Sequence, residues 1–283
     1  SDKHIHIHVV REGNIEALSK ASEIEESDIP SAIDNLSESE VLVDNYISRR
    51  RPSPCGQSIG HPNITAGTQG LLLEYTEGPN VGKAYILSNN HVIAANNSAA
   101  VGDEIIQPGK HDSGVVGKDT IALLHRWVPL LISDFNYVDA AIAEVKGGIN
   151  WSSYVASYIS HIGIPGPVIE PRIGMSVEKT GRTTGYTEGK ITSDRFSTKI
   201  KYPMGTLTFK NQIRTTSMSK GGDSGSCLIE QGTNKTVGLL FAGSDAASYC
   251  NPMSVVLSSL SMSYTHQYPS GKTFSFHSDF NLR

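Results

Sequence analysis

From residue 53 onward the chain is a succession of short apolar runs cut by glycine, asparagine, proline and aspartate. Gly70-Leu71-Leu72-Leu73-Glu74-Tyr75, Ala84-Tyr85-Ile86-Leu87-Ser88 and Ala140-Ala141-Ile142-Ala143-Glu144-Val145 come first. Gly189-Lys190-Ile191-Thr192, Thr206-Leu207-Thr208-Phe209 and Thr236-Val237-Gly238-Leu239-Leu240-Phe241 follow. Runs of this length between turn residues predict strands, and their regular spacing predicts an all-β sandwich or barrel. No sustained helical period occurs here, and only residues 151–160 read as a short connecting helix. The Pro/Gly-rich stretch 165–171 predicts a link between two strand-rich halves. Before residue 53 the texture differs. His4-Ile5-His6-Ile7-His8-Val9-Val10 alternates and predicts a short strand. Residues 15–39 are rich in Glu, Ser and Ala with loosely helical spacing. Ser27-Asp28-Ile29-Pro30 reads as a break or helix start, and Arg49-Arg50-Arg51-Pro52 closes the segment as a solvated linker.

Composition narrows the class. Of 283 residues 38% are hydrophobic and 18% charged, enough apolar material for a core, which excludes wholesale disorder. The longest apolar runs, such as 237–243, fall far short of the roughly 20 residues a membrane helix needs, so no membrane insertion is expected. A net charge of −4 argues against nucleic-acid binding. The charge is unevenly spread. Residues 1–44 hold 11 Asp/Glu and 3 Lys/Arg, a net of −8, and the remainder nets +4. An acidic segment thus precedes a mildly basic body, and a regulatory partner for that segment is an open expectation.

Three cysteines, Cys55, Cys227 and Cys250, argue against a disulfide-dense scaffold. A Cys227–Cys250 bridge and three reduced thiols both stay open. With no apolar signal core after Ser1, a cytoplasmic location is expected, residue 1 reads as a processing remnant, and a signal peptide removed earlier stays open. His4, His6 and His8 would share one face of an extended segment, as metal ligands can, but read as adventitious exposure. No structural-zinc spacing or Walker loop occurs, so no metal or organic cofactor is expected. Asn63-Ile64-Thr65 and Asn234-Lys235-Thr236 fit the glycosylation pattern and read as ordinary loops.

Three motifs carry chemistry. Gly221-Gly222-Asp223-Ser224-Gly225-Ser226 surrounds a serine with glycines, which permit a tight turn and bring backbone N–H groups to one point. Serine needs an adjacent base and a site for the oxyanion it creates. This is not the Gly-x-Ser-x-Gly elbow, because Ser226 occupies the final glycine position. Leu87-Ser88-Asn89-Asn90-His91-Val92-Ile93 sets a histidine at a strand end, and Asn136-Tyr137-Val138-Asp139-Ala140-Ala141-Ile142-Ala143 sets an acid before a strand. Alone, the serine run reads equally as a bland loop, and the histidine and the acid each read more readily as structure. Asp134 is the competing acid, without the strand that follows Asp139. In chain order His, Asp and Ser stand 48 and then 85 residues apart, the two-barrel order rather than that of subtilisin or the α/β-hydrolases.

On these motifs the chain resembles the trypsin-like (chymotrypsin-fold) serine endopeptidases of the bacterial branch. Val177-Glu178-Lys179-Thr180-Gly181-Arg182-Thr183-Thr184-Gly185, followed by Thr187, Gly189 and Ile191, looks like the opening hairpin of their second barrel. The resemblance spans about residues 55–265. It implies two six-stranded antiparallel β-barrels with an N-terminal extension: an acidic extension over 1–52, a first barrel over 53–150, a linker over 151–172, a second barrel over 173–265 and a tail over 266–283. It implies that Ser224 attacks a protein or peptide substrate, His91 moves the proton and Asp139 orients the histidine, with Gly222 and Ser224 amides forming the oxyanion hole. Met218 would sit at the bottom of the specificity pocket, with Phe241, Ala242 and Gly243 as its wall and Met253 on the far side. Two thioethers there favour an apolar substrate side chain, and Asp245 is the alternative that would select Arg or Lys. No Ile-Val-Gly-Gly activation terminus occurs, so Asp223 must find another partner and the oxyanion loop should form without cleavage. The readings from other classes are a binding module that kept the fold and lost turnover, and an esterase for small acyl esters.

Overall fold

The computed structural model describes residues 45–75, 79–260, 264–267 and 273–276. Tyr46–Arg283 is one compact unit. The expected strand over 4–10, the helical stretch 15–39 and the three histidines lie outside the described residues.

In the first barrel Leu71–Glu74, Ala84–Ser88, Ala141–Val145, Thr120–Trp127 and Glu104–Ile106 pair antiparallel in that spatial order. Ser58–Ile59 pairs with Gly67–Thr68, two residues before Leu71. Gly60 then exchanges backbone hydrogen bonds of 3.1 and 3.0 Å with Ile106, which closes a six-stranded barrel. Closure satisfies backbone groups that an open edge would leave unpaired. The strand Ala84–Ser88 shows why its sequence is almost wholly apolar. Ala84 and Ile86 face the barrel interior with Ile59, Ile105 and Ile121. Tyr85 and Leu87, on the opposite face by the period of two, enter a different core.

The second barrel runs Ser176–Gly181, Gly185–Tyr202, Gly205–Thr215, Ser248–Pro252, Lys235–Gly243 and Cys227–Glu230, and returns to Ser176–Gly181, all antiparallel. Val177, Ile191, Ile213, Leu228, Val237 and Leu240 fill it. A shared core lies between the barrels. Leu71, Leu73, Tyr85, Leu87 and Ile142 meet Cys227, Ile229 and Leu239, with Met253, Val256 and Leu257 of the helix Met253–Leu260. The hairpin Gly185–Thr215 is long, and its far end is tied to the first barrel where Phe135–Asn136 pairs with Thr208 and Phe209.

Several expectations are corrected. Residues 151–160 are not a helix. A 3-10 turn, Gly148–Ser153, leads into the strand Val155–Ile159, which lies parallel to Ser53–Cys55. Val155 and Ile159 are buried at its ends, so burial and an available partner strand override the local pattern. The triple arginine is not a free linker either. Arg49 Nε lies 2.8 Å from Asp119 Oδ1, and the Arg50 amide donates to Gln107 Oε1 at 3.0 Å. Tyr264–Gln267 pairs antiparallel with Thr273–Phe276. All three cysteines are free and buried, and burial pushes the Cys55 thiol up to about 12.

Candidate active site

The register Ser88↔Ala141 aligns two neighbouring antiparallel strands. Three residues past Ser88 is His91, and two residues before Ala141 is Asp139, so the pairing brings both to one barrel rim. A short helical turn, Asn90–Ile93, carries the histidine. The two asparagines before it fix the turn. Asn89 Nδ2 donates to the Asp139 carbonyl at 2.7 Å, and Asn90 Nδ2 donates to Asn97 Oδ1 at 2.7 Å and to the Val128 carbonyl at 2.8 Å. His91 Nδ1 lies 2.6 Å from Asp139 Oδ2, and the His91 amide donates to Asp139 Oδ1 at 3.2 Å. The imidazole is 23% exposed and the carboxylate fully buried. From the second barrel, Asn251 Oδ1 accepts the Asp139 amide at 3.0 Å. Asp134, the competing acid, is exposed and accepts the amide of Phe135 next to it.

Ser224 stands on a loop shaped by two left-handed glycines, Gly222 (φ +98°) and Gly225 (φ +99°). A Cβ on Gly225 would collide with the Thr68 carbonyl and the Ser88 hydroxyl, so only glycine lets the loop seat against the first barrel. The Thr68 amide donates to the Ser224 carbonyl at 2.8 Å. Gly67 abuts both that carbonyl and Val92, the neighbour of His91. Ser224 is half-buried and its Oγ donates to the Phe241 carbonyl at 3.4 Å. Among the described residues that is its hydrogen-bond partner, and His91 is not one.

The two amides expected to form the oxyanion hole are open. Among the described residues neither the Gly222 nor the Ser224 N–H donates to a protein acceptor. The peptides around Gly222 are pinned from behind. Thr183 Oγ1 donates to the Gly221 carbonyl at 2.7 Å, and Thr68 Oγ1 donates to the Gly222 carbonyl at 2.9 Å. Asp223 is fully buried. Its Oδ1 accepts the Thr183 and Thr184 amides at 2.8 and 3.0 Å, and its Oδ2 accepts the Thr184 hydroxyl at 2.7 Å and the Lys220 amide at 2.9 Å. The counter-charge is Lys179, with Nζ 3.3 Å from Asp223 Oδ2, also donating to the Gly185 carbonyl at 3.1 Å and to Thr184 Oγ1. Burial pulls the lysine below its usual ionisation, and the Asp223 charge partly offsets that.

Met218 is 5% exposed and packs in the second-barrel core with Val177, Ile191 and Ile213; Met253 is fully buried in the shared core. Phe241 is buried among Leu130, Tyr202, Leu207 and Phe209, Ala242 is half-buried, and Gly243 is exposed. Beside Gly243 stand two hydroxyls, Ser219 Oγ and Ser248 Oγ, 2.7 Å apart. Asp245 is exposed on the turn that follows. Sequence reasoning missed Lys179, Thr183, Tyr202 and Asn251 as parts of the site. A buried Asp223 asked for a cation, but nothing local said which.

No known family profile matches the chain. It is 28% identical over 214 residues to the serine protease Do-like HtrA of Lactococcus lactis subsp. lactis, an alignment covering 72% of this chain and 46% of that protein. The chain thus spans about half the length of the curated relatives it matches. Among solved structures, Thermobifida fusca protease A superposes with a TM-score of 0.52 at 16% identity, over 74% of this chain and 95% of that one. The α-lytic protease homolog N4 gives 0.53 at 16% identity, over 74% and 97%. The two closed barrels accordingly have the fold of the bacterial chymotrypsin-like serine proteases, and the sequence is similar to the Do-like HtrA proteins over about half their length.

Proposed function

We propose that the chain is a serine endopeptidase working through Ser224, His91 and Asp139. The observation that carries this reading is the 2.6 Å contact of His91 Nδ1 with a buried Asp139 carboxylate, on the rim against which the Ser224 loop is seated. Ser224 Oγ turns from the Phe241 carbonyl toward the imidazole, since catalytic hydrogen bonds often tighten only with substrate bound. Oγ attacks the scissile carbonyl as His91 Nε2 takes its proton, and the negative charge moves to the carbonyl oxygen between the Gly222 and Ser224 amides. Collapse of the tetrahedral species breaks the C–N bond, and the leaving amine takes the proton from His91. Water, deprotonated in turn by His91, hydrolyses the acyl-enzyme. Asp139 keeps the tautomer with the proton on Nδ1 and stabilises the imidazolium. The Lys179–Asp223 pair supports a loop formed without a new amino terminus.

A fluorophosphonate probe tests the reading: the full chain takes the label on Ser224, and Ser224→Ala takes none. In comparable triads loss of the serine lowers turnover by roughly 10⁶. The Ser224 Oγ contact with Phe241 favours a second reading, a binding module without turnover, which the same probe would show as an unlabelled wild-type chain. The charge contrast between residues 1–44 and the body supports a regulatory role for the acidic segment. Equal peptide turnover by the full chain and a version starting at Tyr46 would remove it.

A further inference from the structure

Tyr202 ends the strand Gly185–Tyr202 at the tip of the long hairpin, 63 residues from Asp139 in sequence. Its hydroxyl donates to Asp139 Oδ2 at 2.6 Å, the oxygen that also meets His91 Nδ1. The side chain is 7% exposed. Its ring stands edge-on to the His91 imidazole, with centroids 5.9 Å apart at 82°, and stacks on Phe209 at 5.9 Å and 24°. Phe209 in turn lies 4.6 Å from Phe241, whose carbonyl holds the Ser224 hydroxyl. Packing therefore fixes the phenol. Burial and the Asp139 charge hold its ionisation well above the usual tyrosine range, so it remains a donor. A carboxylate with no solvent needs such donors, and a charge-assisted bond is among the stronger ones.

Resting on the triad reading above, we infer that Tyr202 is a positioning residue: its hydroxyl fixes the Asp139 carboxylate, which in turn holds His91 toward Ser224. One barrel thus supplies the acid and the other supplies the donor that orients it. The reaction path then depends on the hairpin tip being docked.

The test is fluorophosphonate inactivation of the full chain, resolved into KI and kinact, for wild type, Tyr202→Phe, Asp139→Asn and the double variant. The expected result is a kinact about tenfold lower in Tyr202→Phe with KI unchanged, since a hydrogen bond to a charged group has been removed. In the Asp139→Asn background the same substitution should cost nothing further, because residues acting through one another are not additive. Wild-type kinact in Tyr202→Phe, or an equal loss in both backgrounds, overturns the proposal alone. A wild-type chain that takes no label, or an Asp139→Asn chain labelled at the wild-type rate, overturns the triad reading and the proposal with it. A readout on the unsubstituted chain guards against misfolding of Tyr202→Phe. The Tyr202 hydroxyl proton should exchange slowly in wild type and quickly in Asp139→Asn, and fast exchange in wild type overturns the contact.

Discussion

Lys179 Nζ and Asp223 Oδ2 lie 3.3 Å apart with neither side chain open to solvent, 1% and 0% exposed. The carboxylate belongs to the residue directly before Ser224, and it gathers two amides and a hydroxyl from Thr183 and Thr184. The loop around Ser224 is thereby tied to the opening hairpin of its own barrel.

Removing the cation should be costly. In Lys179→Met the carboxylate keeps its neutral donors but loses its counter-charge, and breaking a buried pair from one side typically costs about 3–5 kcal/mol. Urea denaturation of the two proteins measures this. A difference below about 1 kcal/mol, the scale of an exposed pair, would mean that the pair does not hold the loop.

The same lysine predicts an alkaline limit. Burial lowers its ionisation below the reference 10.5, so the proton is lost at a lower pH than from a free lysine. Below that point the cation faces Asp223; above it the carboxylate is unpaired and the oxyanion loop loosens. Labelling rates should fall on the alkaline side before 10.5. Lys179→Arg, whose guanidinium keeps its proton beyond about pH 12, should carry the fall upward. An alkaline limb that does not move between the two proteins rules the lysine out as its source.

Thr183 should matter to turnover more than to binding. Its hydroxyl holds the Gly221 carbonyl at 2.7 Å, and the peptide plane joining Gly221 to Gly222 transmits that restraint to the Gly222 N–H. Thr183→Val should lower kcat by about tenfold, short of the roughly 10²–10³ lost when an oxyanion donor is removed outright. Steady-state kinetics on a peptide ester would show it, and an unchanged kcat would mean the amide is held without the threonine.

On the expected placing of Gly243 in the pocket wall, the partly exposed Ser219 stands beside it with its hydroxyl 2.7 Å from that of Ser248, and a peptide library should show preference for small or hydrogen-bonding side chains before the cut bond. A strong preference for Leu, Phe or Met would restore the apolar pocket. Cleavage confined to Arg and Lys would point to Asp245.

The parts of this site that were readable in the sequence are those whose signals are local. Ser224 lies among its own glycines, His91 ends an apolar strand, and Asp139 opens one. The spacing of short runs predicts an all-β sandwich or barrel, and the two six-stranded barrels are what the resemblance carried by these motifs implies. Other parts depend on which face of a strand turns inward, which one sequence does not reveal. Lys179 was visible in the hairpin motif but indistinguishable from a solvent-facing lysine. Tyr202 reaches its partner only because an 18-residue strand carries it across the molecule. The methionines are assigned by motif position, and one sequence does not reveal which way their side chains turn. The strand Val155–Ile159 required a partner, Ser53–Cys55, a hundred residues away in the chain.

The seam between the barrels has a consequence for how the molecule comes apart. Leu87 and Ile142 on one side and Ile229 and Leu239 on the other stay dry only together. Wetting that much hydrocarbon is too costly for either half to melt alone, so heating should abolish both barrels in a single cooperative step, and the candidate site around Ser224 would vanish with the scaffold rather than before it.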